Sequence, residues 1–519
     1  MNIHRYDALV IGSGLTGGWA AKELSEAGLE VLVLDAGPAR LPTEIQAGRA
    51  TDTEAKNRAA QQQPVQSRHN SYWSTNSDFF VNDVENPYTS SGREPFTWIR
   101  GRQLGGRSLT WGGVTLRFSD YEFRAAKTDS FGPCWPLQYD DLAPFYDKVE
   151  RFLRVCGSRD GLSQLPDGKF EAAPRFTSAE LAFSKSVQAT WKTRSVVISR
   201  GQPLAHDERM NISWPPRVNL CNTLRVAIDT GRTHIRPNAI VSHLLVDSQT
   251  RRIKGAACID RQSRTTFEVD GRVVVLCAST IESIRILLNS RCRQHPDGVG
   301  NSSGLLGRFL LDNMTVWIGG TLEPEGGSEP VGGAHGIVIP KFRNVTEWDV
   351  GFLRGYGIWG AIGRTVPGNA DRGVWFLNSL VEVLPRKENR VEIDERQVDA
   401  WGIRVPRIAF NYSDNEFKMR NDSLGCMKEM AATAGLQIEG AGRTLPGQYA
   451  HELGGARMGF TSSDSVLNSF NQCWDAENLF VVDGSCFATS GWQNPSLTMM
   501  ALAARACGFI VDAVRTGRI

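Results

Sequence analysis

Three glycines, Gly12, Gly14 and Gly17, stand between an apolar run, Asp7 to Ile11, and a stretch with helical spacing, Ala20 to Leu29. A second apolar run, Glu30 to Leu34, follows and ends on Asp35. Strand, glycine loop, helix, strand and acid in that order leave little choice of fold. The glycines allow a tight turn, close approach of backbone to a pyrophosphate, and close packing of helix on strand. The helix N-terminus faces phosphate and the acid receives ribose hydroxyls. Asp35 comes 23 residues after Gly12. The spacing predicts a parallel α/β sheet binding a dinucleotide, with Leu15 and Thr16 also at the loop. The motif alone does not separate FAD from NAD.

At 519 residues the chain is too long for one simple core, and two or three domains are expected. A net charge of +2, with both signs interspersed, gives no reason to expect nucleic acid or an anionic membrane as partner. The first residues lead straight into a strand without the pattern of a secretory signal, so a cytoplasmic location is expected. No run of about eighteen apolar residues is present, so no membrane span is expected, although a separate subunit could tether the chain. The ten cysteines are scattered, with no CxxC and no zinc or iron–sulfur spacing. They read as buried or free thiols, and no metal site is expected.

Residues 40 to 95 are polar and weakly periodic. A structureless loop of that length is unusual in a compact domain, so the stretch reads as a surface excursion, a lid or a subunit contact. Paired glycines recur at Gly105–Gly106 and Gly112–Gly113. They imply a backbone pressed against something flat, which makes Arg102, Gly105, Gly106, Ser108, Thr110, Trp111, Gly112 and Gly113 candidates for a second cofactor contact. Trp135 to Tyr146 reads as a loop capped into a helix by Asp140, with helical spacing on to Cys156. A Gly/Pro-rich linker spans 160 to 175. From 232 to 276 four apolar runs predict a small antiparallel meander, the last beginning at Val273. Ala239 and Ile240, opening one run, and Ala278 and Ser279, after the last, are further cofactor candidates. A helix to Leu288 then returns the chain to the nucleotide domain. Residues 315 to 445 read as a second domain: Trp375 to Val383 and Arg390 to Ile393 predict a sheet, and Asn415 to Ala434 a helix over it. Thr498 to Val514 predicts a buried final helix.

Motifs along the whole length resemble the glucose–methanol–choline (GMC) oxidoreductase family. They run from Gly12 to Gly17 with Asp35, through Gly101 to Gly106, Val274 to Ser279 and Asn301 to Gly307. They close with His451 and Gly454, Leu479 to Gly484 and Asn494 to Thr498. Within that family the chain looks most like pyranose oxidases and bacterial glycoside 3-oxidising enzymes, on Trp135 to Leu142, Phe352 to Gly357 and His451 to Gly459. The resemblance implies FAD and an α/β architecture. A Rossmann-like FAD-binding domain (1–110, 230–312 and 446–519) would carry the meander, and a sheet-and-helix substrate-binding domain (111–229 and 313–445) would complete it. Two departures matter. Thr110 stands where pyranose 2-oxidases link FAD through a histidine, so the FAD should be noncovalent. Cys221 is the single cysteine between 157 and 257, so the iron–sulfur loop of some relatives is missing.

Oxidising a secondary alcohol removes the hydroxyl proton as hydride leaves carbon for flavin N5. His451 is the candidate base, since an ordinary pKa of about 6.5 suits neutral conditions. Asn494 would hydrogen-bond the same hydroxyl. It is an amide where relatives carry a second histidine, so one residue would titrate instead of two. The other histidines have no such context. Pro495 suits the first position of the final helix, whose N-terminus, with Thr498 in its first turn, would stabilise negative charge on reduced flavin. Asp483 and Gly484 suit the ribityl–pyrophosphate region, with a buried structural Asp as the alternative. Arg354, Tyr356 and Trp359 could line a sugar pocket or pack in the ordinary way, and Gln493 is a further substrate candidate.

The resulting expectation is FAD-dependent oxidation of a ring hydroxyl of a pyranose or glycoside, C3 favoured over C2, with electrons passed to oxygen or another acceptor. The alternatives are a non-sugar alcohol, a lyase with redox-silent FAD, and a noncatalytic flavoprotein subunit. Retention of His451 and Asn494 argues against the last. A homo-oligomer is compatible with the sequence.

Overall fold

The computed structural model describes residues 5–39, 57, 60–69, 73, 77–202, 223–323, 331–348, 350–366 and 369–519. Strand β1 (Tyr6–Ile11) is buried over Ala8 to Ile11, as expected of a strand covered on both faces. It runs parallel to β2 (Val31–Leu34). Between them lies helix α1 (Leu15–Glu26), which starts five residues before the helical spacing becomes visible at Ala20, because Gly17 and Gly18 carry no side chains to show it. Gly12 turns the chain at φ +97°, and a Cβ there would lie 2.4 Å from the Cys277 carbonyl oxygen, so only glycine fits.

Strand β3 (Thr233–Arg236) pairs in parallel with β2, outside the meander. Strands β4 (Ala239–Val246), β5 (Ile253–Asp260) and β6 (Thr266–Leu276) form the antiparallel insertion. Strand β6 is longer than the run from Val273 suggested. Its first half alternates polar and apolar on β5, and its second half lies between β1 and Leu479–Val481 as a fully buried parallel strand.

Helix α2 (Tyr139–Leu153) is capped by Gln138 rather than Asp140. The Gln138 N–H donates to Asp141 Oδ2 at 2.9 Å, because a reciprocal cap needs the third helical residue to reach back. The helix stops at Leu153, where Arg154 turns left-handed, short of Cys156. Helix α3 (Thr280–Asn289) follows β6. The final helix, Ser496–Arg515, packs against α1 and α2. It is long and apolar enough to cross a membrane, but its apolar residues serve the domain interior.

Residues 313 to 445 do not form one sheet. Strands β7 (Asn313–Thr321), β8 (Ile337–Ile339), β9 (Tyr356–Val366) and β10 (Asn369–Glu382) join Val197–Ile198 and Gly440–Arg443 in a six-stranded antiparallel sheet. Helix α4 (Asp414–Thr433) covers one face. Arg390–Val398 belongs to another sheet, with Arg404–Ala409, Thr89–Ser91, Arg308–Leu311 and Leu453–Gly455. That small sheet ties the second domain to the segment carrying His451.

Residues 40–56 lie outside the described residues. The described part of 40–95 is packed in around Gln63, Gln66 and 79–83, while 61–62, Val84 and 90–93 are exposed. Phe79, Phe80 and Val81 are buried, and buried Gln66 donates to Asp83 Oδ1 and the Trp98 carbonyl and accepts from Arg100 N–H. Its polarity is that of an internal hydrogen-bond network.

Candidate active site

The C-terminal ends of β1, β2 and β6 open onto a cavity of about 1240 Å³, part of it open to solvent. Gly12, Gly14, Leu15, Thr16 and Asp35 line one stretch of it, and Arg102, Gly106 and Ser108 another. Ala239, Ile240, Ala278, Ser279, Asp483, Gly484 and Pro495 complete the expected wall. His451 lines the same cavity.

The His451 ring is held on three sides. Its Nδ1 lies 2.9 Å from Asn313 Oδ1, and its Nε2 lies 3.5 Å from Asn494 Nδ2. The Tyr449 ring meets it edge-on, centroids 4.7 Å apart. Burial, with the positive charges of Arg107 and His69 added, pushes the His451 pKa down to about 3. This corrects the expected value near 6.5: an imidazole with no carboxylate partner loses more in leaving water as a cation than as a neutral ring. His69 is the histidine the motifs missed. Burial and Arg107 hold its own pKa at about 4. It comes from the polar segment before Phe79, where no spacing pointed to the site. Arg107, also unforeseen, donates to the Ala450 carbonyl and Glu452 Oε2, both at 2.9 Å, on either side of His451.

Comparison with known proteins gives this arrangement a family. Residues 7–302 match the FAD binding domain model and residues 385–503 the GMC oxidoreductase model. The chain belongs to the GMC oxidoreductase family. It is 27% identical to 2-methyl-1,2-propanediol dehydrogenase of Mycolicibacterium austroafricanum, over 97% of this chain and 95% of that one. It is 26% identical to the fructose dehydrogenase large subunit of Gluconobacter japonicus, over 98% of each. With C-glycoside 3-oxidase of Arthrobacter globiformis the likeness is 25% over about half of each chain (53% and 52%). A variant of Aspergillus oryzae RIB40 formate oxidase shares the fold, with a TM-score of 0.68 at 14% identity and full coverage of both chains. This GMC protein is an FAD-dependent oxidoreductase acting on alcohol- or sugar-type substrates.

The cavity suits FAD. A Cβ on Gly14 would meet nothing within 4 Å, so the turn leaves open space beside a helix N-terminus that has no side-chain cap. Arg102 Nε and Nη2 and Gln103 Oε1 are buried on the wall with no hydrogen-bond partner among the described residues. Such groups are expensive unless a ligand satisfies them. Asp35 accepts from Ser13 N–H at 3.1 Å and Gly37 N–H at 2.8 Å, which fixes its carboxylate at the end of β2.

Several expected cofactor residues stand back from this wall. Gly17 presses on the turn itself, where a Cβ would fall 1.9 Å from the Gly12 carbonyl oxygen. Gly105 donates its N–H to Ser13 Oγ at 2.8 Å. The Thr110 hydroxyl is turned to the Arg107 carbonyl, 3.4 Å away, and Trp111 packs against the main core. Gly112 and Gly113 use their carbonyls to accept from Gly333 and Gln202 N–H, joining the second domain. Pro495 is the cap rather than the first residue of the final helix. The Thr498 hydroxyl pairs with Tyr146 Oη at 2.8 Å. Asp483 accepts from Ser485 N–H at 3.0 Å and from the Ser283 hydroxyl, so it supports the wall as well as lining it.

The substrate candidates divide by strand parity. Tyr356 and Trp359 are three positions apart on β9, so they project from opposite faces. Tyr356 points at α4, where its hydroxyl donates to Asp422 Oδ2 at 2.6 Å. Arg354 is buried between Asp129 and Glu382, with Nη1 3.0 Å from Glu382 Oε1. Neither faces the His451 side, which corrects their placement at a sugar pocket. Trp359 lies on the other face, opposite Asn378 of β10, whose Nδ2 is 3.3 Å from Tyr449 Oη. Trp492 packs in the same cluster as Trp359. Gln493 donates to Glu122 Oε2 at 2.9 Å, while its Oε1 has no partner among the described residues.

Proposed function

We propose that this GMC oxidoreductase oxidises a ring secondary hydroxyl of a pyranose or its glycoside, with C3 favoured over C2. The observation that carries the alcohol chemistry is His451 Nε2, on the wall of the FAD cavity, 3.5 Å from Asn494 Nδ2. A hydroxyl between them donates its proton to Nε2 and accepts from the amide. With pKa about 3, His451 stays neutral and its lone pair open to a proton throughout the neutral range. Bound FAD supplies the hydride acceptor. We further propose that the FAD is noncovalent, since Thr110 offers no histidine for a link.

The C3 preference rests on similarity to glycoside 3-oxidising enzymes. A non-sugar diol is the second reading, favoured by the likeness to 2-methyl-1,2-propanediol dehydrogenase over nearly the whole chain. Anaerobic mixing with glucose, 3-deoxyglucose, 2-deoxyglucose, methyl glucoside and a simple diol, followed by product NMR, tests both. Bleaching of the flavin by methyl glucoside and 2-deoxyglucose, but not by 3-deoxyglucose, is expected. Bleaching by 3-deoxyglucose but not 2-deoxyglucose overturns the position, and bleaching by the diol alone overturns the substrate class. No bleaching by any of them points to redox-silent FAD.

A further inference from the structure

Arg308–Leu311 and Leu453–Gly455 pair antiparallel, with Leu311 opposite Leu453. Two residues further in the same register, Asn313 comes opposite His451, and the side chains meet at 2.9 Å between Oδ1 and Nδ1. The Asn313 amide is not free to turn over. Its Nδ2 donates to the Gly491 carbonyl at 2.9 Å and the Val381 carbonyl at 3.2 Å. Those oxygens can only accept, so Nδ2 must face them and Oδ1 must face the imidazole. Oδ1 also only accepts, so the imidazole must present an N–H to it.

We propose that Asn313 is a positioning residue that holds His451 in the Nδ1–H tautomer, leaving the Nε2 lone pair toward Asn494 and the substrate hydroxyl. The inference rests on His451 as the base. The other tautomer would oppose two lone pairs at Asn313 and two N–H groups at Asn494. The neutral amide fixes the ring without adding charge: around the imidazole stand Arg107, His69 and Tyr449, and the adjacent carboxylate, Glu452, is paired with Arg107 at 2.9 Å. A carboxylate at 313 would still accept from Nδ1 and would stabilise the imidazolium, but its other oxygen would lose the donation to the Gly491 and Val381 carbonyls.

Labelling the holoenzyme with [15N]histidine reads the tautomer directly, the His451 signals being those lost in His451→Ala. The expected result is a proton on Nδ1 and a lone pair on Nε2. In Asn313→Leu, anaerobic flavin reduction by an alcohol that reduces the wild type should slow by about 10²-fold, the scale of losing a correctly oriented base. Asn313→Asp should recover part of that loss, since it still accepts from Nδ1. The pKa in its rate profile should rise by about one unit or more. A proton on Nε2 in the wild type overturns the proposal. So does a wild-type rate in Asn313→Leu, or equal loss in both variants with an unshifted profile. If Asn313→Leu does not fold, the labelled wild type and Asn313→Asp decide. Wild-type reduction by His451→Ala would instead remove the base itself, whereas an inactive His451→Ala beside a fully active Asn313→Leu removes only the role of Asn313.

Discussion

The six-membered ring of Trp492 lies against Gly357 of β9. A Cβ at Gly357 would sit 1.9 Å from Trp492 Cε3 and 2.3 Å from Cζ3. Trp492 is two residues from Asn494, so the second domain fixes the approach of the amide through a position that tolerates no side chain. Gly357→Ala must displace the indole, an overpacking that typically costs about 1–3 kcal/mol. Its melting temperature should fall, and alcohol-dependent flavin reduction should drop more than FAD content. Unchanged reduction kinetics would show that Asn494 does not depend on this contact.

Removing the base should leave the fold and cofactor in place. His451→Ala is expected to retain FAD and to lose about 10² to 10⁴ in the rate of flavin reduction by alcohol. Stopped-flow reduction without oxygen measures this step apart from the acceptor.

Three partly buried histidines make stability depend on pH. Burial pushes His451 to about 3 and His69 and His335 to about 4, with Arg107 or Arg364 adding to the effect. Unfolded histidine titrates near 6.5, so below that pH the unfolded chain binds protons that the folded chain refuses. Their contribution is fully present above about 6.5 and is lost as pH falls toward 4 and then 3. Within that window each histidine removes about 1.4 kcal/mol per pH unit. Buried Asp312, pushed up to about 7, acts in the opposite sense over the same window, so the test is differential: in thermal melts from pH 7.5 to 4.5, His69→Gln should lose less stability below 6.5 than the wild type. By the same shifts, the rate of flavin reduction should show no limb near 6.5.

The flavin should leave with acid. With Thr110 in place of a linking histidine, precipitation is expected to give a yellow supernatant and a colourless pellet. Colour remaining on the denatured chain would refute noncovalent binding.

What was legible in the sequence follows from distance along the chain. Gly12 to Asp35 is local, and its strand–loop–helix–strand order could be read because each element answers to its neighbours. His451 and Asn494 stood out through motifs around single residues. Asn313, His69 and Arg107 did not, because each reaches the imidazole through tertiary packing or through strand register across more than a hundred residues. The separation of Arg390–Val398 from the sheet of β9 and β10 was hidden for the same reason, since alternation shows a strand but not its partner. Tyr356 is different: its distance of three from Trp359 already implied opposite faces, once 356–366 was known to be a strand.

That parity divides the substrate domain for anyone who would redesign it. On β9 and β10, positions 357, 359, 376 and 378 look toward Trp492 and Tyr449, while 356, 358, 377 and 379 look toward the side covered by α4. On the proposed reading, a randomised library limited to 359, 376 and 378 varies the face toward Trp492 and Tyr449. The same library moved by one residue varies the face packed under α4, where a poorly fitting side chain typically costs about 1–3 kcal/mol of stability.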